Sequence, residues 1–286
     1  LNEKIMYGQY FRAVSAFEGT PFAAPDLQPY GFDPRKAREH LQKAGFTSRG
    51  KDGILVNARG ERAAFSLTNG SKTLTPHLSV LKEIYRRAGV EIELRLLEGA
   101  TAFNRLLERK YEMAYAAYAT SLFPDPHQYF ASKFVESTNN NNIWGFGSKE
   151  TDELIDIYRF DLDEQKRLDA MWRLDRILRE EAFYIPFWKA PYVRFVYWDS
   201  IQFPAFYIPR RSESLLDWHT WWIDPARRER LERAMKSGQA LEPDSVVDVD
   251  PWGVKAKLEA GNAATPATLP AAPSAAPGGP TPVPAP

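Results

Sequence analysis

Ser121-Leu122-Phe123-Pro124-Asp125-Pro126-His127-Gln128-Tyr129-Phe130, then Asn139-Asn140-Asn141-Asn142-Ile143-Trp144-Gly145-Phe146, is the stretch on which the reading of this chain turns. Within Glu112 to Ile155 it gives a strand (Glu112–Thr120), an aromatic loop, an asparagine run and a helix (Ser148–Ile155). Two prolines flanking Asp125 stop the strand, because Pro supplies no N–H to a ladder and fixes φ. The loop and asparagine run beyond them are rich in amide donors and acceptors and in large aromatic faces, and they hold no nucleophile-and-base set. That combination suits gripping a polar ligand with apolar side groups better than breaking a bond.

Upstream, the punctuation is regular. Asp33 is placed as an N-cap with Pro34 at N1, Ala37, Leu41 and Ala44 on one face, and Gly45 at the end. A polar, hairpin-like segment with Gly50, Gly53 and Gly60 leads to Ala63–Asn69, where Phe65 and Leu67 alternate with Ser66 and Thr68 as in a strand. Thr75 is expected to cap a second helix, with Pro76 at N1, a stripe of Leu78, Leu81, Ile84, Tyr85 and Ala88, and Gly89 as its stop. Val90–Leu97 alternates as a strand and Thr101–Arg109 reads as a short helix. Strands and helices alternating at this spacing imply βαβ units and an α/β lobe with helices packed on a sheet.

Downstream, Ser148 caps a helix bearing Leu154, Ile155 and Tyr158. Asp161-Leu162-Asp163-Glu164 has the form of a capping box for a helix to about Glu181, with Leu168, Met171, Trp172, Leu174, Ile177 and Leu178 buried. Phe183–Trp188 and Tyr192–Trp198 are expected as buried strands, confined to edges or crossings by Pro186 and Pro191. The segment through Trp221-Trp222-Ile223 is expected to pack irregularly, and Asp224–Lys236 reads as a basic helix. From Gly261 the chain is almost only Ala, Pro, Thr and Gly without charge, so disorder is expected there.

Lys+Arg and Asp+Glu both number 37, so the formal net charge is zero, and no long basic block occurs. That argues against nucleic acid or an anionic membrane surface as main partner. The absence of cysteine removes disulfides, thiolate catalysis and Cys-based metal sites, and leaves the compartment open. No apolar run approaches the roughly 20 residues needed to span a bilayer. The start at Leu1-Asn2-Glu3-Lys4, without Met and in helix-like sequence, reads as an internal one.

Gly45-Phe46-Thr47-Ser48-Arg49-Gly50-Lys51-Asp52 nearly spells a phosphate-binding loop. Asp52 stands where Ser or Thr would hold Mg²⁺, and a helix rather than a strand precedes it, so it reads as a helix-terminating turn. His40, His77, His127 and His219 show no i, i+4 pairing, and no nucleophile motif accompanies them. His127 beside Asp125 reads as a solvated loop pair before it reads as a dyad. The asparagine run is open between a flexible loop and paired amides for a peptide-like backbone. Trp144 and Phe146 are open between core and stacking walls. Tyr7, Tyr10, Phe11 and Arg12 are open between aromatic packing and a carboxylate clamp at Arg12. No enzyme signature is present, and no cofactor or metal is called for.

Asp33-Pro34-Arg35-Lys36-Ala37 through Ala44-Gly45-Phe46, and Ala88-Gly89-Val90, are similar to two helix-ending steps of one known family. Phe123-Pro124-Asp125-Pro126, Tyr129-Phe130, Asn142, Gly145-Phe146 and Asp152-Glu153-Leu154-Ile155 look like its pocket loop. In this order, over residues 1–223, the motifs resemble the extracellular solute-binding proteins, family 5, that feed peptide ABC importers. Gly8, Tyr10-Phe11-Arg12, Ser15, Phe17, Tyr197-Trp198-Asp199 and Trp221-Trp222 look most like the oligopeptide and microcin-peptide branch.

The resemblance implies a periplasmic-binding-protein-like α/β fold (type II, cluster C), a mixed sheet flanked by helices plus a return segment to another lobe. Residues 1–186 would be the C-terminal ligand-binding lobe, truncated at its start. Residues 187–223 would be the hinge crossing and return to the N-terminal lobe, 224–260 a basic helix and linker, and 261–286 the tail. It implies a monomer outside the cytoplasmic membrane, periplasmic or otherwise, that is associated with the membrane through the importer. Such a protein holds a peptide or peptide-like ligand between lobes and hands it to permease subunits. Arg12, Tyr118, Thr120, Phe123, Asp125, Asn142, Trp144 and Phe146 are its expected ligand-binding residues. Oligopeptide binders of the family often hold the ligand's α-ammonium with an Asp just after the pocket strand. That place is Leu122 here, so either Asp125 substitutes or a free N-terminus is not read. Alternatives are another solute class on the same fold (sugar, nickel chelate, opine), a hydrolase using Asp125 and His127, and a protein-interaction module.

Overall fold

A computed structural model describes residue 8 and residues 10–117, 123–190, 196–203 and 220–242. The chain divides into Leu1–Val249 and Asp250–Pro286, and all described residues lie in the first unit. The helical start at Leu1–Lys4, the positions Tyr118 and Thr120, and the tail from Gly261 lie outside the described residues.

After a two-residue strand β1 (Phe11–Arg12), helix α1 (Pro34–Lys43) begins where the Asp33 carboxylate accepts the N–H groups of Arg35 and Lys36, both at 3.0 Å. It stops at Gly45, whose φ of 92° turns the chain so that the N–H groups of Gly45 and Phe46 close on the carbonyls of Gln42 and Leu41. Its apolar face is weaker than expected. No residue of α1 is buried, and Leu41 reaches the neighbouring core only partly. Strands β2 (Ser48–Arg49) and β3 (Leu55–Val56) pair antiparallel, so the Gly45–Asp52 segment is a helix stop running into a hairpin.

Strand β4 (Ala64–Asn69), helix α2 (Thr75–Ala88), strand β5 (Glu91–Leu96), helix α3 (Gly99–Leu107) and strand β6 (Met113–Ala114) form the expected βαβ units. The sheet order is β5-β4-β6 and both pairings are parallel, with Leu67 opposite Leu94 on one side and Met113 on the other. Leu67, Val90 and Ile92 pack with Leu78 of α2 and with Leu55 and Ala63 from the hairpin. Thr75 does not cap α2. The chain leaves extended conformation at Ser71, a 3₁₀ turn over Lys72–Leu74 leads straight into the helix, and no side chain accepts the first amides. Gly89 ends α2 as expected. A β-carbon there would lie 2.7 Å from Leu55 Cγ, so its positive φ of 94° and the close approach both require glycine.

Of the strand expected over Glu112–Thr120, residues 118–120 lie outside the described residues, and residues 115–117 carry no strand. Its ladder covers Met113–Ala114, and the last bond runs from the Tyr115 N–H to the Thr68 carbonyl at 2.9 Å. β4, its neighbour, ends at Asn69 and leaves nothing further to pair with.

The second half packs a short helix α4 (His127–Phe130) and the hairpin of α5 (Lys149–Phe160) and α6 (Glu164–Glu180) around Phe17, Phe22, Phe130, Ile155, Tyr158, Met171, Leu174 and Leu178. Ser148 and Thr151 cap α5 reciprocally, at 2.8 and 3.2 Å. The cap of α6 is Asp163 alone, which accepts from Gln165 and Lys166, whereas the Asp161 N–H closes α5 on Ile157. Trp172 lies at the edge of the buried stripe and donates its indole N–H to the Pro21 carbonyl at 2.9 Å.

The buried strand expected at Phe183–Trp188 reduces to β7 (Trp188–Lys189), which pairs antiparallel with β1. Pro186 interrupts the preceding backbone, and Ile185 is exposed. Of the strand expected at Tyr192–Trp198, residues 192–195 lie outside the described residues, and Val196 and Trp198 are exposed. β8 (Ile201–Gln202) pairs antiparallel with β9 (Trp222–Ile223), so Trp222 and Ile223 are strand rather than irregular. Helix α7 (Pro225–Ser237) follows its Asp224 cap. Asp199 holds it, accepting from Arg227 at 2.6 Å and from Arg230.

Candidate functional site

Parallel α/β sheets present ligands at the carboxyl ends of their strands. Residues 123–148 form an ordered layer held at Leu107, Arg109 and Tyr111, the chain that leaves α3 and enters β6 at its amino end. Arg109, just past α3, braces the layer. Its guanidinium donates to the Asn142 carbonyl at 3.0 and 2.8 Å, to the Phe134 carbonyl at 2.7 Å and to the Val135 carbonyl. The Tyr111 hydroxyl donates to the Ile143 carbonyl at 2.7 Å, and the Asn139 N–H to the Leu107 carbonyl at 2.8 Å.

The asparagines close this layer on itself. Asn142 is fully buried; its amide donates to the Phe146 carbonyl at 2.8 Å and accepts the Phe146 N–H at 3.2 Å. Asn140 accepts the Asn142 N–H at 2.9 Å, and Asn141 donates to Gln128 at 2.6 Å. Asn142 was expected among the ligand-binding residues; here it reaches no surface, because its amide replaces missing backbone partners in the turn. At the far end the Ser132 N–H and hydroxyl bind the Asp152 carboxylate, and Thr151 donates to the Phe130 carbonyl at 3.1 Å. Gly147 passes so close beneath that a β-carbon would lie 2.8 Å from Ser132 Cα and 2.9 Å from the Phe130 carbonyl.

Trp144 and Phe146 are half-buried and complete the second core. Trp144 stacks on Phe130 at 5.3 Å and leans on Phe183 at 5.9 Å, while Phe146 stacks on Phe183 at 4.9 Å. Phe123 and Asp125 are exposed. Phe123 lies 6.4 Å from Phe22, which meets Tyr158 edge-on at 5.3 Å. The Asp125 carboxylate accepts the His127 backbone N–H at 3.3 Å. The His127 imidazole stands edge-on to Phe134 at 5.6 Å, and burial with Lys133 and Arg159 nearby lowers its pKa. The pair is therefore a local turn with an imidazole held on an aromatic ring. Arg12 is exposed on β1, opposite Trp188 of β7, and the Trp188 ring lies 5.9 Å from Tyr115 at the end of β6.

Asp175 escaped the sequence reading. It is fully buried on α6 and accepts from the Ser15 hydroxyl at 2.6 Å, the Ala24 N–H at 2.9 Å and the Ala16 N–H at 3.2 Å, fastening residues 15–24 behind Phe22. Burial pushes its carboxyl above the usual range, although the donors pull the other way. Lys189 donates to the Glu18 carbonyl, and burial pulls its ammonium below the usual lysine range. A hollow of about 310 Å³ lined by Ala64, Phe65, Ser66, Glu91, Glu93 and Glu112 lies at the amino end of the strands. Its carboxylates are engaged by Arg62, Arg95 and Ser66.

Residues 1–142 match the family described as Bacterial extracellular solute-binding proteins, family 5 Middle. The uncharacterised protein YejA of Escherichia coli is 25% identical over 275 residues, covering 84% of this chain and 44% of its own length. AppA of Bacillus subtilis, an oligopeptide-binding protein solved with a nonapeptide, superposes with a TM-score of 0.61 at 17% identity, over 78% of this chain and 44% of its own. NikZ of Campylobacter jejuni, solved with Ni(L-His), superposes with a TM-score of 0.58 at 19% identity, over 65% and 38%. The chain spans less than half the length of these proteins. The structural likenesses show the expected fold, the α/β lobe of periplasmic solute-binding proteins.

Proposed function

Residues 1–142 belong to the bacterial extracellular solute-binding proteins, family 5, and from that premise we propose that the chain is the ligand-holding part of an ABC importer's binding component for peptides or peptide-like compounds. It works as a monomer outside the cytoplasmic membrane, meets that membrane through the importer, and hands its ligand to the permease. Residues 1–186 act as a lobe of the cleft and 187–223 as the crossing to the other lobe.

The observation that carries this reading is the braced layer of residues 123–148, on which Phe123 and Asp125 are exposed, together with Arg12 exposed on β1. Arg12 and Asp125 are exposed and form no ion pair with the described residues. They suit the two charged ends of a peptide, a carboxylate on the guanidinium and an ammonium on the carboxylate. Phe123 supplies an apolar wall, and Tyr118 and Thr120, which lie outside the described residues, belong to the same proposal. AppA, which shares the fold, holds a nonapeptide.

The test is peptide uptake by the full-length protein, with free and N-acetylated forms of a synthetic peptide library. Asp125→Asn is expected to weaken free-amine peptides about tenfold, roughly the 1.4 kcal/mol of a charge-assisted bond, and to leave acetylated ones unchanged. Equal effects on both would remove Asp125 as the amine site. Uptake of a nickel chelate and of no peptide would keep the fold and overturn the substrate.

A further inference from the structure

We infer that Arg109 is a positioning residue for the proposed ligand-binding layer, setting the geometry of residues 134–146 through a clasp made entirely of backbone carbonyls. The inference rests on the peptide-binding reading above. It starts from a comparison of helix ends. α1 and α2 stop in the same way, at Gly45 and Gly89 with φ of 92° and 94°, each followed by a paired closure of the last turn. α3 stops identically, with the Arg109 N–H on the Leu106 carbonyl at 3.0 Å and the Lys110 N–H on the Arg105 carbonyl at 2.8 Å. The residue in the left-handed position is now an arginine, at φ 53°. A β-carbon there is disfavoured, and glycine is the residue this turn selects. The backbone alone gains nothing from arginine, so the reason lies in the side chain.

That side chain reaches both arms of the layer at once. Phe134 and Val135 are at the end of the 3₁₀ turn that follows α4, and Asn142 ends the asparagine run. Gly145, at φ 67°, passes over the guanidinium so closely that a β-carbon would lie 3.4 Å from it. A planar guanidinium with donors in a fixed fork can hold carbonyls on two arms together. An ammonium has the charge without the span. Because Asn142 in turn holds Phe146, the clasp fixes where the Phe146 ring stacks on Phe183.

The test uses the full-length protein with Arg109→Gly and Arg109→Lys, a synthetic library of tripeptides to hexapeptides as probe, and residue-resolved hydrogen exchange. Glycine suits the backbone at this position, so Arg109→Gly is expected to melt cooperatively with unchanged exchange at Leu67 and Ile92. Exchange at Asn142, Gly145 and Phe146 is expected to quicken about tenfold in both variants, and library peptides to dissociate about tenfold faster. Added methylguanidinium is expected to restore part of the peptide retention in Arg109→Gly. A purely structural role would lower the melting temperature and leave dissociation well below melting unchanged. Wild-type retention by Arg109→Lys would overturn the inference, as would faster exchange with unchanged dissociation. Wild-type protein that captures no library peptide would overturn the proposed function and the positioning role with it, whereas wild-type capture with unaltered variants overturns the positioning role alone.

Discussion

Truncating Asp175 to alanine is expected to unfasten residues 15–24 from α6. The Ser15 hydroxyl and the N–H groups of Ala16 and Ala24 lose their acceptor, and the two backbone groups have no route to water. A buried donor left unmade costs about 1–3 kcal/mol. Part of that is returned, because the cost of burying a carboxylate disappears with it. The net loss is about 3 kcal/mol, or roughly 6–12 °C in melting temperature for a domain of this size. Asp175→Asn keeps one acceptor oxygen and should cost about 1 kcal/mol. The pH dependence has a definite sign. Burial raises the folded-state pKa of Asp175 above its unfolded value. The stabilising contribution of the group is therefore complete below about pH 4 and is lost as pH rises through the folded-state value. The stability gap between wild type and Asp175→Asn is expected to narrow as pH rises. Urea unfolding at several pH values, followed by tryptophan fluorescence, measures both effects. An alanine variant within about 0.5 kcal/mol of wild type, or a gap that widens with pH, would refute the reasoning.

The other structural assignments are open to equally direct checks. Gly147→Ala places a methyl against three backbone atoms, 2.8–2.9 Å away, and should destabilise by about 1–3 kcal/mol; an unchanged thermal melt contradicts the packing. Trp144→Ala should cost about 2–3 kcal/mol, somewhat less than a fully buried ring, and Phe123→Ala under about 1 kcal/mol. Equal losses in urea unfolding would contradict the division between core and exposed aromatic faces. Asp199→Ala removes the acceptor of Arg227 and Arg230, so tryptic cleavage after these arginines should quicken at neutral pH; an unaltered rate would show that α7 is held by something else.

Helix ends were legible because their chemistry is local. Asp33, Pro34, Gly45, Gly89 and Ser148 each act on the adjacent turn. The alternation of β4 and β5 marked them as strands but not which side packs, since Ser66 and Thr68 are buried with Leu67 while Phe65 and Leu96 are exposed; the order of short motifs pointed to the family. Features set by distant chain were not legible. β6 ends where β4 ends, and Thr75 loses its capping role to the turn before it. Asn142 offers the same amide to a ligand or to its own loop, and composition does not distinguish the two. Asp175 meets Ser15 across 160 positions, although an acid beside Leu174 and Leu178 in an apolar stripe was a usable hint. Arg109, at a helix end where α1 and α2 have glycine, was another.

Native mass spectrometry of the full-length protein purified from its own cells tests the peptide-binding proposal most directly. A ladder of bound masses that fragment as peptides is the expected result. A single non-peptide mass, or an empty protein that takes up nothing from an added peptide pool, would contradict it.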